Sequence, residues 1–253
     1  MSDTHLAACL NCIAVLYFHE SPANTEKAME MFKRSLSIRR RLQGSDREVA
    51  TVLNNIGRIY YMLNDNDTAL DVYQEALHIR RKVLGESHID VAATIFNTGQ
   101  THHQRGELEQ AMEYYQEFLK LAEARFGTEH RDVAVMFKCV AQIHHEKGEL
   151  KEAKAMFEKA LNAACAALGE NHPDVASILN KVGNLSFEMG ELDEAMSYYE
   201  KGLKVERAVL DDDHPHIIVT LSIWLKSTNA RVTSCQRFGS TARSCAFRSE
   251  RMD

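Results

Sequence analysis

A period of 42 residues constrains this chain more than anything else in it. Val49, Val91, Val133, Val175 and Ile217 stand 42 apart, and so do Ala69, Ala111, Ala153 and Ala195. Asn64, Gly106, Gly148 and Gly190 keep the same step. A fixed repeat of this size marks an architecture of stacked units, each burying its apolar face against its neighbours. Such stacks build long surfaces, and long surfaces bind other chains more often than they house catalytic sites.

Each unit holds two apolar patterns of helical spacing. The first is Leu53, Ile56, Gly57 and Tyr60, at i, i+3, i+4 and i+7. Its third position is always small: Ala14, Gly57, Gly99, Ala141 and Gly183. A small residue there lets a second helix approach closely, which explains why glycine is tolerated in a helix interior. The second pattern carries Ala69, Tyr73, Ala76 and Leu77, with copies such as Ala195, Tyr199, Gly202 and Leu203. Gly106, Gly148 and Gly190 each precede Glu-Leu and suit the left-handed residue that closes a helix, with Asn64 as the next best residue in an earlier copy. Segments such as His172-Pro173-Asp174 fit a helix start, with proline at its first position and an acid beside it.

These patterns predict an all-α chain of about five helix-turn-helix repeats. The repeats are expected at 4–45, 46–89, 90–131, 132–173 and 174–215, with a partial sixth over 216–225. A tail over 226–253 loses the pattern. It holds eight Ser/Thr and six basic residues and carries +4, leaving residues 1–225 at −10. The tail is expected to be disordered, either a basic, phosphorylatable arm or the product of a translated intron or shifted frame. An acidic body argues against nucleic acid as partner. No basic-then-apolar leader and no long apolar run is visible, so neither secretion nor a membrane is expected. The six cysteines do not follow the repeat, which points to free thiols in the cytoplasm. Cys9 and Cys12 have half the spacing of a zinc site with no second half, so no metal and no cofactor is expected.

The small residue of the first helix, the Ala–aromatic–Ala series of the second and the closing turn together resemble the tetratricopeptide repeat (TPR). The 42-residue length and the segment from Ala76 to Gly85, followed by His88 and Asp90-Val91-Ala92, are similar to the kinesin light chain subclass. The resemblance covers roughly residues 4–225. It implies a right-handed superhelix, an α-solenoid, whose first helices line a concave groove that holds an extended peptide of a partner. Kinesin light chains also carry a heptad coiled coil ahead of the repeats. The first helix here starts almost at Met1, so attachment to a motor is not implied.

In that family the groove positions lie three before, one after and four after the small residue. Carried onto this chain, the first register gives Asn11, Asn54, Phe96, Lys138 and Asn180. The second gives Val15, Arg58, Gln100, Gln142 and Asn184, and the third gives Phe18, Tyr61, His103, His145 and Phe187. The polar members and Tyr61 are the candidate peptide-binding residues. Asn and Gln offer donors and acceptors to a peptide backbone, and Arg58 and Lys138 suit an acidic side chain. The Lys–Asn pair of the chaperone-tail clamp is not reproduced, since Lys138 is followed four later by Gln142.

Two histidine pairs, His102-His103 and His144-His145, occupy equivalent places. Adjacent helical residues point about 100° apart and do not chelate as an i, i+4 pair would. His102 and His144 are therefore expected to replace the packing Tyr60. No nucleotide loop, zinc-protease motif or nucleophile elbow is present, so the chain is not expected to be an enzyme. The expected function is that of a cytoplasmic adaptor or scaffold. The other possibility is a regulatory part of a larger signalling protein or enzyme whose catalytic domain lies elsewhere. The segment IIVTLSIWL at 217–225 is apolar on nearly all sides, so Ile218, Ile223, Trp224 and Leu225 are expected to promote self-association.

Overall fold

The computed structural model describes residues 2–20, 24–42, 46–209, 217–218, 220–222, 224–226 and 228. All regular structure among them is helical. Ten helices follow one another: α1 (Asp3–Glu20), α2 (Thr25–Arg41), α3 (Asp46–Met62), α4 (Asn66–Leu84), α5 (Ile89–Gln104), α6 (Leu108–Phe126), α7 (Arg131–Glu146), α8 (Leu150–Leu168), α9 (Pro173–Glu188) and α10 (Leu192–Val209). The described residues between Ile217 and Thr228 are helical as well. Most of the tail read as a basic arm, and Ile223, lie outside the described residues.

The chain divides into two compact units, Met1–Ala122 and Glu123–Asp253, and the division falls inside α6. In the first unit α1 packs on α2, α3 on α4, and α2 and α4 on the helix that follows each. In the second, α7 packs on α8, α8 on α9, and α9 on α10. Odd-numbered helices are thus the first of each pair and even-numbered ones the second.

The ends of the helices follow from local chemistry. Gly106 closes α5 at φ +77°, and Asn64 holds the same place after α3 at φ +59°. The Gly106 N–H donates to the His103 carbonyl (2.9 Å) and the Glu107 N–H reaches back to the His102 carbonyl (3.0 Å). These two bonds satisfy carbonyls that the helix end would otherwise leave open. The three helix starts after a histidine are also alike. The Asp90, Asp132 and Asp174 N–H groups donate to Nδ1 of His88 (3.0 Å), His130 (3.2 Å) and His172 (3.1 Å). Each imidazole is the N-cap of its helix.

Within each pair the contact turns on the small residue. A Cβ built on Gly57 would lie 2.5 Å from Tyr73 Cε1. At Gly99 the corresponding approach to Tyr115 is 2.8 Å, and at Gly183 that to Tyr199 is 2.7 Å. Wherever the small residue is glycine, the facing aromatic is tyrosine. Where it is alanine, at Ala14 and Ala141, the facing residue is Phe32 or Phe157, and all of these are buried. Glycine therefore leaves room for the tyrosine ring against the helix, and in the last such pair the hydroxyl reaches the residue after the glycine. Tyr199 Oη donates to Asn184 Oδ1 (2.8 Å) in this way. Around the first such contact, Ala14, Ala28, Phe32, Val52, Ile56 and Ile59 form one buried cluster that joins three helices.

At the far end, Ile217 and Thr220 are buried, Trp224 is half-buried, and Ile218 and Leu225 are exposed.

Gly57→Ala should destabilise the protein by about 1–2 kcal/mol in urea denaturation. Overpacking a core contact costs about 1–3 kcal/mol, which exceeds the ~1 kcal/mol that alanine gains over glycine in a helix. Adding Tyr73→Phe should recover most of the loss, because the ring is then free to settle as Phe32 and Phe157 do. Equal losses for the single and double variants would refute the pairing.

Candidate functional site

The three registers expected to bind peptide behave differently in the structure. The register three before the small residue is turned toward neighbouring helices. Asn54 is 8% exposed, and its Oδ1 accepts from Asn97 Nδ2 (3.1 Å), which ties α3 to α5. Asn180 Nδ2 donates to Glu206 Oε1 (2.9 Å) on α10 and to Thr220 Oγ1 (2.9 Å). Asn11 is half-buried, with its Oδ1 buried and unbonded. Phe96 packs against Tyr115 and Phe118, with ring centroids 6.2 and 5.9 Å apart. Lys138 is half-buried beside Cys139. Asn54 and Asn180, expected among the peptide-binding residues, thus also make hydrogen bonds inside the fold.

The other two registers keep surface. Arg58, Tyr61, Gln100 and His103 of the first unit are all half-buried, as are Gln142, His145 and Asn184 of the second. The Arg58 guanidinium lies 4.9 Å from the centre of the Phe18 ring, a cation–π contact that fixes it on the first-helix face. The His103 ring stands edge-on to Tyr115 at 6.2 Å. In the second unit, Gln142 Nε2 donates to Glu146 Oε1 (2.9 Å), and His145 Nε2 meets Glu188 Oε2 (2.9 Å) on the next first helix. Arg58, His103, Gln142, His145 and Asn184 are thus each held by a neighbour, and all seven side chains partly face water. Such an array can offer hydrogen bonds and positive charge to a bound chain.

The histidines of the two pairs separate as the helical angle requires. His102 and His144 turn away from the register of His103 and His145 and clasp the turn glutamates. His102 Nδ1 lies 2.6 Å from Glu107 Oε2, and His144 Nδ1 lies 2.5 Å from Glu149 Oε2. His102 also stacks on Tyr114 at 5.3 Å. The hydrogen bonds from these imidazoles, with nearby Arg105 and Lys147 adding to them, hold the Glu107 and Glu149 carboxyls below the usual carboxylate range. Among the described residues no cluster of His, Cys, Asp and Glu could hold a metal ion. The Cys139 thiol is pushed up to about 11 by burial, and Lys138 opposes this only weakly. It is protonated at neutral pH and is a poor nucleophile.

A further set of polar residues escaped the sequence reading. Arg39, Arg80 and Glu206 are buried and share one register of the second helices, where Ala122 and Ala164 stand in the other repeats. Arg80 Nη1 donates to the Asp90 carbonyl (2.6 Å) and to Thr94 Oγ1 (2.6 Å), so α4 holds the start of α5. Arg39 pairs with Glu48 on α3. Two alanines in that register were the available signal: a position that is small and apolar in some copies is an interior one in all.

Two predictions follow from these bonds. Asn180→Ala leaves the buried Glu206 carboxylate short of a donor and should cost about 1–3 kcal/mol in urea denaturation. Asn184→Ala removes a half-exposed acceptor that water replaces, so its cost should be well below that; the reverse order would contradict these roles. The second concerns pH. Glu107 and Glu149 have lowered folded-state pKa values, so the unfolded chain binds protons more readily at these sites. Their stabilisation is complete above the ordinary value of 4.5 and is lost as pH falls through the lower folded values. The difference in Tm between the wild type and Glu107→Gln/Glu149→Gln should be widest near neutrality and close in acid.

Two family models match the sequence: "MalT-like TPR region" over residues 85–227 and "Tetratricopeptide repeat" over residues 6–82. A comparison with curated proteins gives no match. Solved structures do resemble the chain. BtubC (BKLC) from P. vanneervenii is 18% identical with a TM-score of 0.56, over 85% of this chain and 94% of that one. The nearly identical TPR-like repeats of a Podosopora anserina kinesin light chain candidate are 16% identical with a TM-score of 0.63, over 81% and 98%. The apo form of RapI is 15% identical with a TM-score of 0.70, over 80% and 70%. At these identities the likeness is one of fold.

Proposed function

We propose, from the premise that this chain belongs to the tetratricopeptide-repeat family, that it is an adaptor whose first-helix faces hold an extended segment of a partner protein. TPR proteins generally mediate protein–protein interaction, and such scaffolds are typically non-catalytic. The contact residues in this reading are Arg58, Tyr61, Gln100 and His103 in the first unit, and Lys138, Gln142, His145 and Asn184 in the second. Asn11, Asn54 and Asn180 serve as the supporting layer beneath them.

The observation that carries the reading is the regular contrast along the first helices. The positions one and four after the small residue stay half-buried and mostly polar from α3 to α9, apart from the exposed Phe187, while the small residues themselves are buried. A merely solvated face has no need of such supported side chains. Within each unit an extended peptide can meet these side chains through its backbone, which Gln100 pairs in the first unit and Gln142 and Asn184 in the second, and through an acidic side chain opposite Arg58 in the first or Lys138 in the second. The same reading puts the protein in the cytoplasm, where thiols such as Cys139 stay reduced. No described helix is long and apolar enough to cross a membrane.

The test is affinity capture from cell extract with the full chain, alongside Arg58→Ala/Gln100→Ala/Gln142→Ala. The variant should keep its Tm within a few degrees, since all three side chains are partly exposed. It should bind the captured partner at least tenfold more weakly, each lost contact being worth about 0.5–1.5 kcal/mol. A partner retained equally by both proteins would show that these faces are not the working surface.

A further inference from the structure

The outer face of α1 has the composition of an inter-repeat junction. In α3 the side that packs on the preceding pair is Val49, Val52, Ile56 and Ile59, none more than 8% exposed. Val52, Ile56 and Ile59 belong to the cluster with Ala28 and Phe32 of α2. The same four positions of α5 and α9 are at most 2% exposed. The equivalent residues of α1, 43 earlier than those of α3, are Leu6, Cys9, Ile13 and Leu16. Here Leu6 is 38%, Ile13 41% and Leu16 69% exposed, and Cys9 is exposed as well.

We propose that this face is a self-association surface, and that its occupant is α1 of a second copy of this chain packed antiparallel about a two-fold axis. The argument is one of register and charge. The spacing of the four residues is 3, 4, 3, which is a coiled-coil seam and reads the same from either end. Turned end to end about a point near Asn11, the helix sets Leu6 against Leu16 of its copy and Cys9 against Ile13. A two-fold contact requires such self-complementarity, with each residue meeting the partner of its own partner. The ends agree as well. The same operation places Glu20 beside Ser2 and His5 at the start of the copy's helix, where the helix dipole and a histidine favour a carboxylate. Lys and Arg are absent from α1, and Asp3, the one other acid at that end, is paired with Arg41 at 2.7 Å, which offsets its charge beside Glu20 of the copy.

A single helix stripe buries only a few hundred Å² per copy, at the low end for specific association. The dimer is therefore weak, with a Kd on the order of 10 μM. Its two-fold geometry closes it, so it does not grow into a fibre.

Sedimentation velocity on the full chain, from a few micromolar to several hundred, tests this. The wild type should pass from monomer to dimer over that range and stop there. Leu16→Glu and Ile13→Glu should each raise the Kd more than tenfold with helicity and Tm unchanged, since both side chains are exposed in the monomer. Ile218→Glu, at the exposed apolar position of the other end, should leave the dimer intact. A wild type that stays monomeric throughout would overturn the proposal and leave the stripe to a different kind of helix. So would growth beyond the dimer, or association abolished by Ile218→Glu and retained by Leu16→Glu.

Discussion

The structure depends on a single repeated contact: an aromatic ring of the second helix lying against a residue of the first that has almost no side chain. Everything else in a repeat is arranged around the spacing this sets. Close approach at Gly57, Gly99 and Gly183 brings the two helices of a pair near enough to bury Ala69, Ala111 and Ala195 completely. It also fixes which residues of the first helix lie under the ring and which lie beside it. Beside Gly183 the next residue, Asn184, receives the hydroxyl of Tyr199. Because interiors pack at crystal-like density, a contact this tight has little tolerance, and the Gly–Tyr and Ala–Phe pairings are two solutions to the same space.

Much of this was legible in the sequence because it rests on local rules. The helix pairs follow from the 3.6-residue spacing, and the turns from glycine at the one place where a left-handed residue is needed. The small–aromatic pairing recurs often enough to be seen without any alignment. What was not legible has a common cause. Asn54, Asn180, Arg80 and Glu206 bond to residues on other helices, and nothing in a helical period states which register faces a neighbour. The groove registers come from the resemblance to the family, and polarity on a first helix does not say which of them also bond to a neighbouring helix. In the register three before the small residue, the solvent side is taken up by Asn97 for Asn54, and by Glu206 and Thr220 for Asn180. The His102–Glu107 clasp escaped for a related reason. Its two residues are five apart across a turn, a spacing that brings side chains together only once the helix has closed.

The candidate peptide-binding faces therefore have two layers rather than one. The supporting residues are polar and buried, and they fix the relation of one helix to the next. The presenting residues are half-buried, and several are pinned by a neighbour: Arg58 by Phe18, His145 by Glu188, Gln142 by Glu146. Pinning lowers the entropy that ordering these side chains on a bound chain would cost. It also makes them a poor fit for indiscriminate binding, since each offers its donors or acceptors in one direction.

The threonines of α5 show why residue type alone misleads in a repeat. Thr94, Thr98 and Thr101 occupy the junction face that holds valine and isoleucine in α3, and all three are fully buried. Each hydroxyl donates to the carbonyl four residues earlier, at 3.1, 2.9 and 2.8 Å. With its polar group satisfied by its own helix, a threonine presents little more than a methyl to the preceding pair. A polar residue at a junction is thus no sign of solvent, and a stripe of apolar ones in the open is a surface that gains by burial. α1 has the second condition: its junction face is apolar and exposed, and no hydrogen bond can make Leu16 comfortable in water. Burial against a surface of like character is the only relief available to it.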